Sequence, residues 1–258
     1  MTNIVSEPAV PQHPLIDRTA IVVGASRGLG RGVATALAAA GADVVAVARV
    51  AEPLAALAEV GIVQTESADA TDPELATRLL DRHDPGVVVV VAGAAPPILP
   101  LQEQTWETLS VNWNADVRIA FNWLQATLRK PLAPGSRVVL FSSGAALKGS
   151  PLSGGYAGAK ATQRFLATYA QDEARRAGLE LTFTVLMPQL TPRTDLGRPA
   201  VLAYAERSGQ TEAEYLARMG DPLTPELAGG AVLELVLAEP ESLAAAYLLT
   251  GAGLKPLP

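Results

Sequence analysis

Short apolar runs and alanine-rich amphipathic stretches alternate along most of the chain. The runs predict strands at residues 20–24, 43–48, 62–64, 87–92, 137–142, 181–186 and 246–250. The stretches between them predict helices at 28–40, 53–60, 73–82, 105–130, 154–177 and 225–238, rich in alanine and commonly opening after Pro, Ser or Thr. Continuous apolar strands joined by crossover helices are the pattern of a parallel sheet covered on both faces. The expected fold class is therefore α/β: a doubly wound, seven-stranded parallel sheet flanked by helices.

No repeat, low-complexity block or linker divides the chain, so one domain is expected over residues 15–258, preceded by a flexible arm at 1–14. Residues 189–221 are long and mixed in charge, Pro and Gly, which predicts a substrate lid.

Composition narrows the chemistry. With 258 residues, 49% of them apolar, the chain can bury a sizeable core. A net charge of -6 without clustered Lys or Arg argues against nucleic acid or an anionic membrane as partner. The absence of cysteine excludes disulfides, thiolate nucleophiles and cysteine metal sites. His13, in a Pro-rich head, and His83, in a charged turn, have no partners at ligand or triad spacing, so no metal is expected. The first fourteen residues lack the cationic and apolar segments of a secretory signal, and the charge-free run 85–102 holds four prolines. A soluble, cytoplasmic protein acting on a small molecule is the expectation.

The first strand runs into Gly24-Ala25-Ser26-Arg27-Gly28-Leu29-Gly30 and then a helix. Glycines there permit a tight turn and let the backbone approach a pyrophosphate, which meets the free N–H groups and positive end of the helix. Asp43 opens the second strand rather than closing it, about 17 Å from the nucleotide end. Ala48 and Arg49 stand at that end, so no carboxylate reads the ribose. Arg49, helped by Arg27, suits a 2′-phosphate, which favours NADP(H) with NAD(H) as the alternative. Solvation of both arginines is the competing reading.

Tyr156 and Lys160, four apart on a helix, share a face. A phenol ionises near pH 10, and bringing it to about 7 requires roughly 4 kcal/mol. A cation about 5 Å away at an effective dielectric of about 20 supplies about 3 kcal/mol. Ser143 closes the preceding strand, at the edge of the sheet that faces the ligand crevice, where its hydroxyl can hold a carbonyl oxygen.

In these motifs the chain resembles the short-chain dehydrogenase/reductase family over about residues 17–254. The resemblance implies a single Rossmann-fold domain. It implies that Gly24, Ser26, Arg27, Gly28, Leu29 and Gly30 form the cofactor turn. Asp69 and Ala70, in Asp69-Ala70-Thr71-Asp72, would contact adenine, and Asn112, Ser143, Tyr156 and Lys160 would be catalytic. Asn112 would help Lys160 hold a relay water, and Lys160 would also bond the nicotinamide ribose. Helices carrying Asn112 and Tyr156 would pair in a homodimer or homotetramer, though helices buried within one subunit look the same.

Three positions depart from the family pattern. Val23-Gly24 replaces Thr-Gly, and Val90-Val91-Ala92-Gly93 replaces Asn-Asn-Ala-Gly, keeping Ala92 and Gly93 but removing polar bracing of the central sheet. Pro188-Gln189 replaces Pro-Gly, leaving Thr191 and Thr194 as rival contacts for the nicotinamide amide. Ala94, Ala145, Gln189 and a lid around Tyr204 and Tyr215 would wall the substrate pocket. The expected activity is NADPH-dependent reduction of a ketone or aldehyde, reversible as alcohol oxidation. A cofactor-bound sensor without turnover, or an isomerase or dehydratase on the same scaffold, is the alternative.

Overall fold

The computed structural model describes residues 13–62, 64–192 and 194–258. The arm expected at 1–14 lies almost wholly outside the described residues, as does Arg193 within the expected lid. Strand β1 (Thr19–Val23) turns into α1 (Gly28–Ala39), followed by β2 (Asp43–Ala48) and α2 (Ala51–Ala55), which tightens into a 3-10 turn at Ala56–Val60. Next come β3 (Gln64–Ser67), α3 (Pro73–His83) and β4 (Val87–Val90). Helix α4 (Trp106–Asn112) passes through a π-helical turn, Trp113–Val117, into α5 (Arg118–Arg129). Strand β5 (Arg137–Phe141), α6 (Ala145–Lys148), α7 (Gly154–Arg176) and β6 (Thr182–Pro188) lead to α8 (Gly197–Arg207) and α9 (Glu212–Ala217). Helix α10 (Pro225–Leu237), β7 (Ala246–Thr250) and β8 (Gly253–Leu257) complete the chain.

The sheet order is β3-β2-β1-β4-β5-β6-β7-β8, parallel through β7. Every residue of β4 and β5 is buried, which requires cover on both faces. One core packs Val33 and Leu37 of α1 and Val232 and Leu235 of α10 against the sheet; the other packs Leu75 and Leu79 of α3, Trp123 of α5 and Ala167 and Ala170 of α7. Local capping fixes the helix starts: the Asp72 side chain accepts from Glu74 N ahead of Pro73, and the Thr224 side chain accepts from Leu227 N ahead of Pro225.

The seven expected parallel strands are present, and an eighth, β8, pairs antiparallel with β7 beyond them. Two expectations are corrected. The third strand is Gln64–Ser67 rather than 62–64; it is an edge strand of alternating burial whose polar residues give no apolar run. The helix expected over 105–130 is interrupted by the π-turn. Residues 194–221 hold two helices, α8 and α9, the second opened by a Thr211/Glu214 capping box. His13 is exposed and His83 half-buried, and no cluster of metal ligands occurs among the described residues. No helix among them is long and apolar enough to cross a membrane.

Candidate active site

The sheet order reverses between β1 and β4, and the crevice this leaves at the carboxyl edge is where α/β folds bind ligands. A cleft of about 1460 Å³ runs there from the glycine turn to Ser143, Tyr156 and the helices α8 and α9. At the turn, Gly24 has φ +93°, and a Cβ on it would lie 2.7 Å from Ala92 N, so only glycine fits. The Gly24 and Ala25 amides donate to Val47 O at 2.8 and 3.2 Å, holding the turn against β2. Gly28, Leu29 and Gly30 open α1, whose first turn has no side-chain cap and no acidic residue. The helix therefore presents unsatisfied N–H groups and an uncompensated positive end to the cleft, the chemistry a pyrophosphate requires.

Ser26, Arg27, Arg49, Asp69, Ala70, Ala92 and Gly93 all line the same cleft. Asp69 Oδ1 accepts from the Thr71 amide and hydroxyl, both at 2.9 Å. The Thr71 amide, then its hydroxyl, and the charges of Arg49 and Arg118 hold the Asp69 carboxyl below its ordinary pKa against a weaker opposing effect of burial. Arg49 is exposed. Arg27 pairs with Asp195, just ahead of α8, at 3.2 Å, and with both side chains at least three-quarters exposed this pair contributes little stability.

At the other end of the cleft, Ser143 follows β5 and its Oγ accepts from Ala145 N at 3.2 Å. Ser142 Oγ donates to Lys160 O at 2.7 Å, fixing α7 against the strand end. Tyr156 is half-buried and lines the cleft, with the Lys160 ammonium 5.4 Å from its ring centroid. Lys160 itself is buried. Its Nζ lies 3.1 Å from Asp116 Oδ2 and donates to Phe141 O at 3.3 Å. Burial pushes the ammonium down, but the charges of Asp116 and Tyr156 and the bond to Asp116 outweigh it, so its pKa stands above the ordinary lysine value.

Asp116 had no place in the sequence reading. Wholly buried, it accepts through Oδ1 from Ala94 N at 2.8 Å and from Asn112 Nδ2 at 3.3 Å. Asn112 Nδ2 also donates to Ala94 O at 2.8 Å. Asp116 and Asn112, from the helix opposite, thus hold the Ala94 backbone just past β4. Gln163, buried on α7, donates to the Asp116 carbonyl at 2.8 Å and gives the π-turn an identifiable cause, a side chain entering the helical ladder. Asn112 makes no direct bond to Lys160. The available signal was spacing: Asp116 lies four residues after Asn112 on a stripe continued by the buried Ile119 and Trp123.

Pro188 ends β6, and Gln189 follows it with its amide donating to Asp221 O at 2.9 Å, joining the two ends of the segment 189–221. Thr191 is buried and shares a 2.9 Å hydroxyl contact with Thr194, so the two rivals form one unit. Ala94, Ala145 and Gln189 line the cleft together with Tyr204 and Tyr215, whose rings stand 6.5 Å apart. The Tyr204 hydroxyl bonds Ser150 and, at 3.0 Å, Ser153, latching α8 to the segment just before α7. These two serines were also absent from the sequence reading.

The short chain dehydrogenase family model matches residues 18–203. The chain is 29% identical over 181 residues to the L-xylulose reductase of Mesocricetus auratus, covering 69% of this chain and 68% of that one. It is 28% identical over 225 residues to a hydroxynaphthalene reductase of Aspergillus fumigatus, covering 81% of each. Among solved structures, a 3-oxoacyl (acyl-carrier-protein) reductase of Agrobacterium tumefaciens C58 with NADP bound superposes with a TM-score of 0.77 at 28% identity, over 97% of this chain and 99% of that one.

Proposed function

The chain belongs to the short-chain dehydrogenase family of oxidoreductases that act on alcohol and carbonyl groups, and from that premise we propose that it reduces a ketone or aldehyde using NADPH. The observation that carries this reading is the convergence of Ser143, Tyr156 and Lys160 at one end of a cleft whose other end is an uncapped helix N-terminus. The nicotinamide cofactor, when bound, supplies the hydride. Gly24, Ser26, Gly28, Leu29 and Gly30 would hold its pyrophosphate, and Arg27 and Arg49 a 2′-phosphate. Asp69 and Ala70 would meet its adenine, Ala92 and Gly93 would flank it, and Pro188 and Thr191 would face its amide.

Around the substrate, the Ser143 hydroxyl donates to the carbonyl oxygen and the Tyr156 hydroxyl delivers a proton to that same atom. Lys160 places a positive charge against the Tyr156 ring, which favours the phenolate left behind. Ala94, Ala145 and Gln189 would form the substrate wall. In alcohol oxidation the same residues act in reverse, with Tyr156 taking the proton.

Preference for NADPH rests on the two arginines and the absence of a carboxylate at the end of β2. Self-association through the helical stretch Trp106–Arg129 and α7 is supported by the exposed Trp113, Phe121, Phe165 and Tyr169. The test is loss of NADPH absorbance with a panel of ketones and aldehydes. Consumption that requires both carbonyl compound and Ser143 is expected, and substrate-independent or absent consumption overturns the reading.

A further inference from the structure

We propose that Asp116 is a positioning residue for this reaction: its buried carboxylate is the counter-charge that keeps an ammonium on Lys160 and seats it beneath Tyr156. The inference rests on the reductase reading above. It starts from a conflict between burial and charge. Lys160 is 4% exposed, and a fully buried lysine without a partner can fall to a pKa of about 5–6. A neutral amine there would give Tyr156 no positive charge.

Every element packed around Lys160 bears on the point. The titratable groups whose charges act on it are Asp116, from the π-turn, and Tyr156, from its own helix. Strand β5 presents the uncharged Phe141 carbonyl to the ammonium, the Ser142 hydroxyl bonds the Lys160 backbone, and the neutral Asn112 amide of α4 bonds Asp116. The compensating anion is therefore Asp116, 3.1 Å away.

The carboxylate is itself built into place. Ala94 N and Asn112 Nδ2 occupy Oδ1 and turn Oδ2 toward Lys160, and Gln163 holds the backbone carbonyl behind it. Gly93 leaves the room: a Cβ there would lie 2.8 Å from Oδ2 and 3.0 Å from Oδ1. A carboxylate held only for helix packing would need neither the lysine nor this clearance.

Asp116→Asn keeps the shape and one acceptor oxygen but removes the charge. The expected result is an acid-shifted pH profile for NADPH-dependent ketone reduction. Turnover falls roughly a hundredfold above neutrality and recovers as the pH is lowered, because Lys160 then regains its proton. A purely structural role predicts a loss uniform across pH, and that outcome overturns the proposal.

A second readout needs neither substrate nor cofactor: the Cε resonance of Lys160 in isotopically labelled protein, identified by its disappearance in Lys160→Met. It is expected to titrate above the ordinary lysine range in the parent protein and below it in Asp116→Asn; identical titration in both overturns the proposal. Failure to reduce any carbonyl compound would sink the reductase reading and leave this titration to decide the role of Asp116. Should Asp116→Asn not fold, Asp116→Asn/Lys160→Met decides: recovery of folding supports the ion pair, and continued failure assigns Asp116 to bracing Ala94 alone.

Discussion

Gly93→Ala tests how tightly the polar cluster is built. A Cβ at this position meets all three carboxyl atoms of Asp116, Oδ2 at 2.8, Cγ at 2.9 and Oδ1 at 3.0 Å. This is no loose side-chain end, because Lys160, Ala94 and Asn112 all hold it. To reach an ordinary contact of 3.4 Å from 2.8 Å, backbone or carboxylate must give by about 0.6 Å. Overpacking of this kind costs about 1–3 kcal/mol, and a domain of this size loses about 2–4 °C of Tm per kcal/mol, so a fall of roughly 2–12 °C is expected. Differential scanning calorimetry measures it. Gly230→Ala is the control: Gly230 lies exposed in α10 with nothing within 4 Å of an added Cβ, so alanine there should stabilise by about 0.5–1 kcal/mol. If Gly93→Ala melts with the parent protein while Gly230→Ala behaves as stated, the carboxylate is not seated against Gly93.

Tyr156→Phe should fold and bind NADPH while losing about 10²–10⁴ of turnover, and near-normal rates would remove the proton-donor role. Arg49→Ala should weaken NADPH by roughly tenfold or more with little change for NADH, measured by calorimetric titration; equal losses would take the 2′-phosphate away from Arg49. Tyr204→Phe removes the hydroxyl that latches α8 to Ser150 and Ser153 and should raise KM for the carbonyl substrate several-fold with a smaller effect on NADPH binding. An unchanged KM would deny the latch a part in substrate retention. The folded-state pKa of Lys160 is raised above its unfolded value of 10.5. The stability it contributes is therefore fully present below about that pH and lost as the pH rises through the folded value. Urea unfolding at increasing alkaline pH should show a decline that is absent in Asp116→Asn/Lys160→Met.

The architecture was legible wherever burial on two faces leaves an apolar run. The second and seventh strands have the predicted limits, 43–48 and 246–250. The polar Gln64-Thr65-Glu66-Ser67 gave no such signal, since an edge strand need bury only alternate residues. Strand β8, with Pro256 inside it, reads as tail, because an outermost strand tolerates a missing amide donor. The site divides the same way. The glycine turn and the Tyr156/Lys160 spacing are local patterns, and the structure places them at one cleft. The spacing of Asp116 from Asn112, Ile119 and Trp123 hints at its burial, but its role comes from Lys160, Ala94 and Gly93, distant in the chain. The π-turn likewise has no compositional mark, because its cause, Gln163, sits on another helix.

The strand order that opens the crevice also governs how the chain reaches its native state. Positions 20–23 of β1 find partners at 87–90 of β4, and each parallel pairing must wait for a crossover to be threaded and closed. Among the described strands only β7 and β8 are joined by a direct hairpin without a crossover, with Leu249 opposite Leu254. Loop-closure entropy is thus spent before most of the ladder returns any energy, which places the chain among slow, high-contact-order folders. During that interval its valine-rich central strands stand uncovered, so refolding yield will fall as protein concentration rises.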